Sequence, residues 1–130
     1  MQSNTYTLEI TVPEEAIDQL GHVNNVQYLQ WIQDVAEAHW LHATTEDIQK
    51  EYVWVALEHT IKYHNQSFKG EKLTLKTWVD SFEGVRSIRH VEIIRNSDQK
   101  KLVSSITQWC LLHMPEGRPM RIPALISDLF

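Results

Sequence analysis

Asp18-Gln-Leu-Gly21-His22-Val-Asn24-Asn25-Val-Gln-Tyr28 is the stretch on which the reading of this chain turns, because the hydrophobic period changes across it. Upstream, residues 5–12 alternate: Tyr6, Leu8, Ile10 and Val12 share one side, while Thr5, Thr7, Glu9 and Thr11 share the other. That is a half-buried strand. Downstream, from about Asn25 to His42, Tyr28, Leu29, Ile32, Val35, Ala36, His39 and Trp40 fall on one helical stripe. Gln27, Gln30, Gln33, Asp34 and Glu37 oppose them, as on an amphipathic helix. Residues 13–21 are connector, and Gly21 permits backbone angles closed to other residues. Asn24 is a suitable N-cap, since its side chain can accept an orphan backbone N–H.

Beyond the helix, residues 45–51 read as a short polar helix or turn, and strands follow. Residues 53–64 place Val53, Val55, Leu57, His59, Ile61 and Tyr63 on one face. Leu73, Leu75, Thr77 and Val79 alternate with Thr74, Lys76, Trp78 and Asp80, and strands over 85–96 and 101–113 come next. Short turns at Glu83-Gly84 and at residues 96–100 join them. Long strands with tight connections favour an antiparallel sheet, because parallel pairing needs a long crossover. Pro123 is placed to start a short terminal helix. One dominant helix against about five strands is an α+β fold, with residues 1–130 as a single domain. Its open sheet edges favour a homodimer over a monomer.

Composition narrows the function classes. The chain has 130 residues, 42% hydrophobic and 22% charged, ordinary values for a folded globule. A net charge of −5 opposes general nucleic-acid binding, which needs clustered Lys and Arg. No apolar run approaches the ~20 residues of a membrane span. Residues 1–7 lack a basic region followed by an apolar one, so no signal peptide is read. A lone cysteine, Cys110, cannot pair within the chain, which fits a reducing cytoplasm.

The same opening stretch carries chemistry. A helix start presents unpaired backbone N–H groups and a partial positive charge, and both polarise a carbonyl oxygen. Asp18 stands seven residues ahead of Asn25, placed to attack such a carbonyl carbon or to activate water against it. Cys110 has no activating neighbour, so a thiol nucleophile is unsupported. The seven histidines include no H-E-x-x-H pattern, and there is neither a cysteine pair nor an Asp-rich loop. No metal site and no cofactor is therefore expected.

The pattern D-x-x-G-H-V-N-N-x-x-Y, here Asp18 to Tyr28, resembles the active-site segment of hotdog-fold thioesterases. It is most similar to the 4-hydroxybenzoyl-CoA thioesterase-like branch, which includes YbgC-like acyl-CoA thioesterases. Weaker likeness extends through residues 55–73, with Tyr63 and Gly70, to Gly117-Arg-Pro-Met-Arg-Ile-Pro123. The resemblance implies a long helix wrapped by an antiparallel sheet, assembled as a homodimer or homotetramer. It implies hydrolysis of an acyl-CoA or acyl-carrier-protein thioester, with Asp18 catalytic and the Asn25 amide on the thioester oxygen. Two departures stand out. Plant acyl-ACP thioesterases resemble this segment but use an asparagine two residues before the histidine, where this chain has Leu20. Many relatives carry an acid two residues before the catalytic one, where this chain has Ala16.

Around this pair, Gly21, His22, Asn24, Tyr28 and His59 are expected to shape or contact the substrate site. Three also have a plainer reading, His22 as a loop pin and Tyr28 and His59 as core; otherwise His59 could line the acyl cavity or contact the site from the neighbouring subunit. Trp40 reads as core, while Trp31 and Trp54 are candidates to wall a binding slot. Lys69, Lys72, Arg86, Arg89, Arg95, Arg118 and Arg121 could hold the phosphates of coenzyme A or simply coat a solvated sheet face. Two rival functions remain at this point: a hydratase or dehydratase of acyl thioesters, using His22 or His59, and a non-catalytic acyl-CoA binding module.

Overall fold

The computed structural model describes residues 4–130, so part of the stretch read for a signal peptide lies outside the described residues. Strand β1 spans Tyr6–Thr11 and a 3-10 turn covers Glu14–Ala16. Helix α1 runs Asn25–Ala43 and α2 runs Glu46–Glu51. Four long strands follow: β2 Tyr52–Tyr63, β3 Lys72–Glu83, β4 Arg86–Arg95 and β5 Lys101–His113. A two-residue strand β6, Arg118–Pro119, and a short helix α3, Ala124–Ser127, complete the order.

The sheet is antiparallel throughout, in the order β1-β3-β4-β5-β2, with β6 paired to β5. This is the α+β arrangement expected from the sequence, with α1 packed on β3 and β1. The main core joins Tyr28, Trp31, Ile32 and Val35 of α1 to Leu73, Leu75, Val91, Ile93, Leu102 and Val103 of the sheet. A second, smaller cluster at the other end of α1 gathers Tyr52, Leu111 and Ile126, with Trp40, Trp54 and Phe130 partly buried against it. Among the described residues, no helix is long and apolar enough to cross a membrane.

One expectation fails in β2. The simple alternation put Val53, Val55 and Leu57 on the face of His59, Ile61 and Tyr63. A β-bulge between Ala56 and Glu58 shifts the register against β5. An inserted residue reverses which parity faces inward. Tyr52 and Trp54 therefore join the second cluster, while Ile61 packs on the main core. Val53, Val55 and Leu57 are left exposed at 37%, 38% and 49% on a strand that forms one edge of the sheet. The helix stripe is largely as expected, but Trp31 is also buried among core side chains, whereas Leu29 and Trp40 are half-buried.

Candidate active site

The loop that leads into α1 is held by its own backbone. Asp18 N–H donates to the His22 carbonyl at 2.8 Å, Gly21 N–H donates to the Asp18 carbonyl at 3.1 Å, and Ile17 bridges to Val23. Such a tight reversal needs a residue in the left-handed region, and Gly21 supplies it with φ +83°. Two further bonds fix the loop to the body: Val23 N–H to the Ser67 carbonyl and Asn24 N–H to the Ala16 carbonyl, both 2.9 Å.

This geometry orients the Asp18 carboxylate. Its Oδ1 accepts from Leu20 N–H at 2.9 Å and from His22 N–H at 3.3 Å. One oxygen is thereby committed to the loop, and the half-buried side chain lines a cavity of about 500 Å³. The helix start faces the same space. Asn24 caps it, with Oδ1 accepting from Val26 N–H at 2.9 Å and its carbonyl accepting from Gln27 N–H at 2.9 Å. The Asn25 N–H between them has no acceptor among the described residues. Asp18, His22, Asn24, Asn25 and Tyr28 all line this one cavity.

Tyr28 adds a phenol. Its ring is 3% exposed, and its hydroxyl is buried with no hydrogen bond of ordinary geometry. Burial chiefly raises its pKa, against an opposing interaction with neighbouring Ser67, whose Oγ is likewise unpartnered. The His22 ring packs edge-on against Phe68, with centroids 5.6 Å apart, which favours its role as a loop pin. Gly21 shapes the turn without lining the cavity.

His59 is not brought into this cavity. Its Nδ1 pairs with Thr107 Oγ1 at 2.8 Å, its ring meets Trp109 edge-on, and burial lowers its pKa. Trp54 lines a different cavity, at the far end of α1. Sequence reasoning also missed wall residues. His64, Asn65 and Gln66, just after β2, line the Asp18 cavity beside Tyr63. A polar run between two strands was the available signal, but nothing in the sequence said that it folds back over the helix start.

The basic residues divide once their partners are known. Arg95 is tied to Glu71 at 2.9 Å and Asp98 at 3.0 Å, Lys69 lies 3.7 Å from Glu14, and Arg86 bonds Gln108 at 2.9 Å. Lys72, Arg118 and Arg121 are exposed with no ion pair among the described residues. Arg89 contradicts both readings offered for it: it is only 7% exposed and neither coats the surface nor can meet a phosphate there. Alternation along β4 turns Ser87, Arg89, Val91 and Ile93 inward.

One long helix thus packs against an antiparallel sheet, and Asp18 lines one cavity with a helix-start amide that has no acceptor among the described residues. Residues 12–130 match the sequence model of the thioesterase-like superfamily, and the chain belongs to that family. A 1,4-dihydroxy-2-naphthoyl-CoA thioesterase from Synechocystis has a similar structure, with TM-score 0.82 and 19% identity over 96% of this chain and 94% of that one. A 4-hydroxybenzoyl-CoA thioesterase variant holding 4-hydroxybenzoyl-CoA superposes with TM-score 0.88 at 12% identity, covering 98% of this chain and 99% of that one. A Staphylococcus aureus protein in complex with CoA gives TM-score 0.86 at 17% identity, covering 99% and 83%. At these identities the likeness establishes the hotdog fold. Comparison with curated protein sequences finds no match.

Proposed function

We propose that the protein hydrolyses acyl thioesters of coenzyme A or of acyl carrier protein, releasing a free acid and a thiol. One observation carries the reading: the Asp18 carboxylate and the unpaired Asn25 N–H line the same cavity. The thioester carbonyl oxygen would accept from Asn25 N–H at the positive end of α1. Asp18 would take a proton from water as the water oxygen attacks the carbonyl carbon. The tetrahedral intermediate then expels the thiolate, which recovers that proton. Direct attack by Asp18, through a mixed anhydride that water later opens, uses the same placement. One backbone donor of this kind is worth roughly 3–4 kcal/mol of transition-state stabilisation.

The working form is a homodimer, or a tetramer built from it. Support comes from the edge strand β2, whose exposed Val53, Val55 and Leu57 leave apolar surface and unpaired backbone together. Of the seven basic residues considered for coenzyme A phosphates, Lys72, Arg118 and Arg121 are exposed and make no ion pair among the described residues. The buried free thiol of Cys110 fits a reducing, cytoplasmic setting.

The test is a thiol-release assay over short, long and aromatic acyl-CoAs, run on wild type and on Asp18→Asn with thermal melts alongside. Turnover by wild type and its loss in a folded variant support the reading. Equal rates in both proteins, or thiol release from none of the thioesters, would overturn it.

A further inference from the structure

At the opposite end of α1 from Asp18 lies a second cavity, of about 480 Å³, a size ordinarily sufficient for a small organic ligand. Trp40, Trp54, Phe82, Trp109 and Phe130 line it together with Arg89, and the exposed Glu37 of α1, which makes no ion pair with Arg89, also borders it. Trp40 stacks on Phe130 at 6.0 Å and meets Trp54 edge-on at 5.9 Å, so the wall is packed rather than loose. Asn25 and Trp40 are fifteen residues apart on the helix, about 22 Å at the usual rise. The two cavities share no lining residue, although Tyr28 of the first and Gln33 of the second are only five residues apart on that helix.

Arg89 is the unexplained group here. It occupies an inward position of the sheet's central strand, where a hydrophobic residue would ordinarily pack. Burial lowers its pKa to about 10, which leaves the guanidinium charged at neutral pH. Its hydrogen bonds both leave from Nη1, to His39 Nδ1 at 2.9 Å and to Thr77 Oγ1 at 3.1 Å. Both partners are uncharged, because burial first, then Arg89 and His42, lower His39 to about 4. The Phe130 ring lies 5.8 Å from the guanidinium carbon and supplies only a cation–π contact. No carboxylate pairs with Arg89 among the described residues. A second donor is stranded in the same wall: Trp109 Nε1 is buried without a partner.

A buried cation without a counter-ion is costly, and a neutral imidazole and a hydroxyl do not neutralise it. The edge of the guanidinium formed by Nε and Nη2 makes no hydrogen bond among the described residues, and that edge matches the two oxygens of a carboxylate. The geometry points to a receptor for an apolar carboxylate: Arg89 pairs with the head group, and the aromatic wall covers the tail. A single buried cation suits a monoanion better than a phosphate. Two sources supply this chemistry, a free fatty or aryl acid and an acyl-CoA whose far end carries a second carboxyl group.

The cavity contains its own reporters in Trp40, Trp54 and Trp109, so binding can be read by tryptophan fluorescence on the whole chain, without any hydrolysis. Wild type is titrated with decanoate and with 1-decanol, which differ in the charged head. Saturable binding at least tenfold tighter for decanoate is expected, and Arg89→Met removes that preference. Should Arg89→Met not fold, the decanoate–decanol comparison on wild type still decides, together with a decanoate-induced rise in melting temperature. A second arm compares kcat/KM for acyl-CoAs of equal length with and without a terminal carboxyl group. A tenfold preference for the carboxyl-ended thioester that Arg89→Met erases assigns the site to the far end of a substrate. Decanoate binding without that preference assigns it to a free acid. The inference is overturned if neither decanoate selectivity nor a carboxyl preference is found. Because the fluorescence arm needs no turnover, that failure is distinct from a failure of the thioesterase reading.

Discussion

The two ends of α1 solve opposite electrostatic problems. At the N-terminal end the unpaired charge is negative and partial positive charge is provided by backbone: Asp18 lines one cavity with Asn25, whose N–H has no acceptor among the described residues. At the C-terminal end the unpaired charge is positive and is enclosed by aromatic side chains, with neutral His39 as a hydrogen-bonding neighbour of Arg89. The first charge is held by short-range hydrogen bonds within five residues of chain, from Asp18 to His22. The second, on β4, is held by partners on two other elements, His39 on α1 and Thr77 on β3. Local sequence builds the former; only the assembled sheet and helix build the latter.

The sharpest way to break this comparison is to remove the negative charge. Asp18→Asn keeps a side-chain acceptor for Leu20 and His22, so the loop and the melting temperature should be preserved. Thiol release should nevertheless fall about 10²–10⁴-fold, the usual range for losing a proton-transfer group. A variant that melts normally and retains full activity would place the chemistry elsewhere.

At the other end, His39 makes stability depend on pH. Its folded pKa of about 4 lies below the unfolded value near 6.5, so the unfolded chain binds more protons between them. Its stabilising contribution is complete above about pH 6.5 and is lost as pH falls towards 4, an effect of about 2–3 kcal/mol. His39→Gln can still accept from Arg89 and does not titrate. Denaturation curves across that window should be flatter for the variant; parallel curves would mean that His39 is not the titrating group.

Asn24→Ala separates the cap from the amide it positions. Loss of the bond to Val26 N–H should cost about 1 kcal/mol of stability, read as a lowered urea midpoint. Activity should also fall as the helix start frays. Asn25→Ala keeps the backbone N–H, so less than tenfold should be lost in kcat/KM; a loss approaching that of Asp18→Asn would assign the work to the side chain instead.

The smallest change expected is that of Tyr28→Phe. The hydroxyl removed is buried and unpartnered, so its loss should leave the melting temperature unchanged or slightly higher. If the phenol contacts the thioester, KM should rise while stability does not fall. A variant that melts lower shows that the hydroxyl serves the core.

Legibility in the sequence followed the range of the forces involved. The strand over residues 5–12, the helix from Asn25, the cap at Asn24 and the turn at Gly21 were all readable, because periodicity, capping and backbone sterics act between near neighbours. The failures were all non-local. A bulge after Ala56 reversed the inward face of β2, and only its pairing with β5 reveals the extra residue. Trp31, a candidate wall, is buried in the main core, while Trp40 both packs on the second cluster and lines a cavity, because a stripe of apolar residues does not say where the packed surface ends and a cavity begins.

By itself, then, the sequence determined the elements, the antiparallel α+β architecture and the tight loop at Gly21 that leads into the capped helix. Tertiary structure alone decided that His64, Asn65 and Gln66 wall that loop's cavity, that His59 is drawn away to Thr107, and that Arg89 is buried behind Trp40 and Phe130. The reason is physical: hydrogen bonds along a few residues are encoded by their order, whereas burial and neutralisation of charge depend on which distant surfaces come together when the sheet closes on the helix.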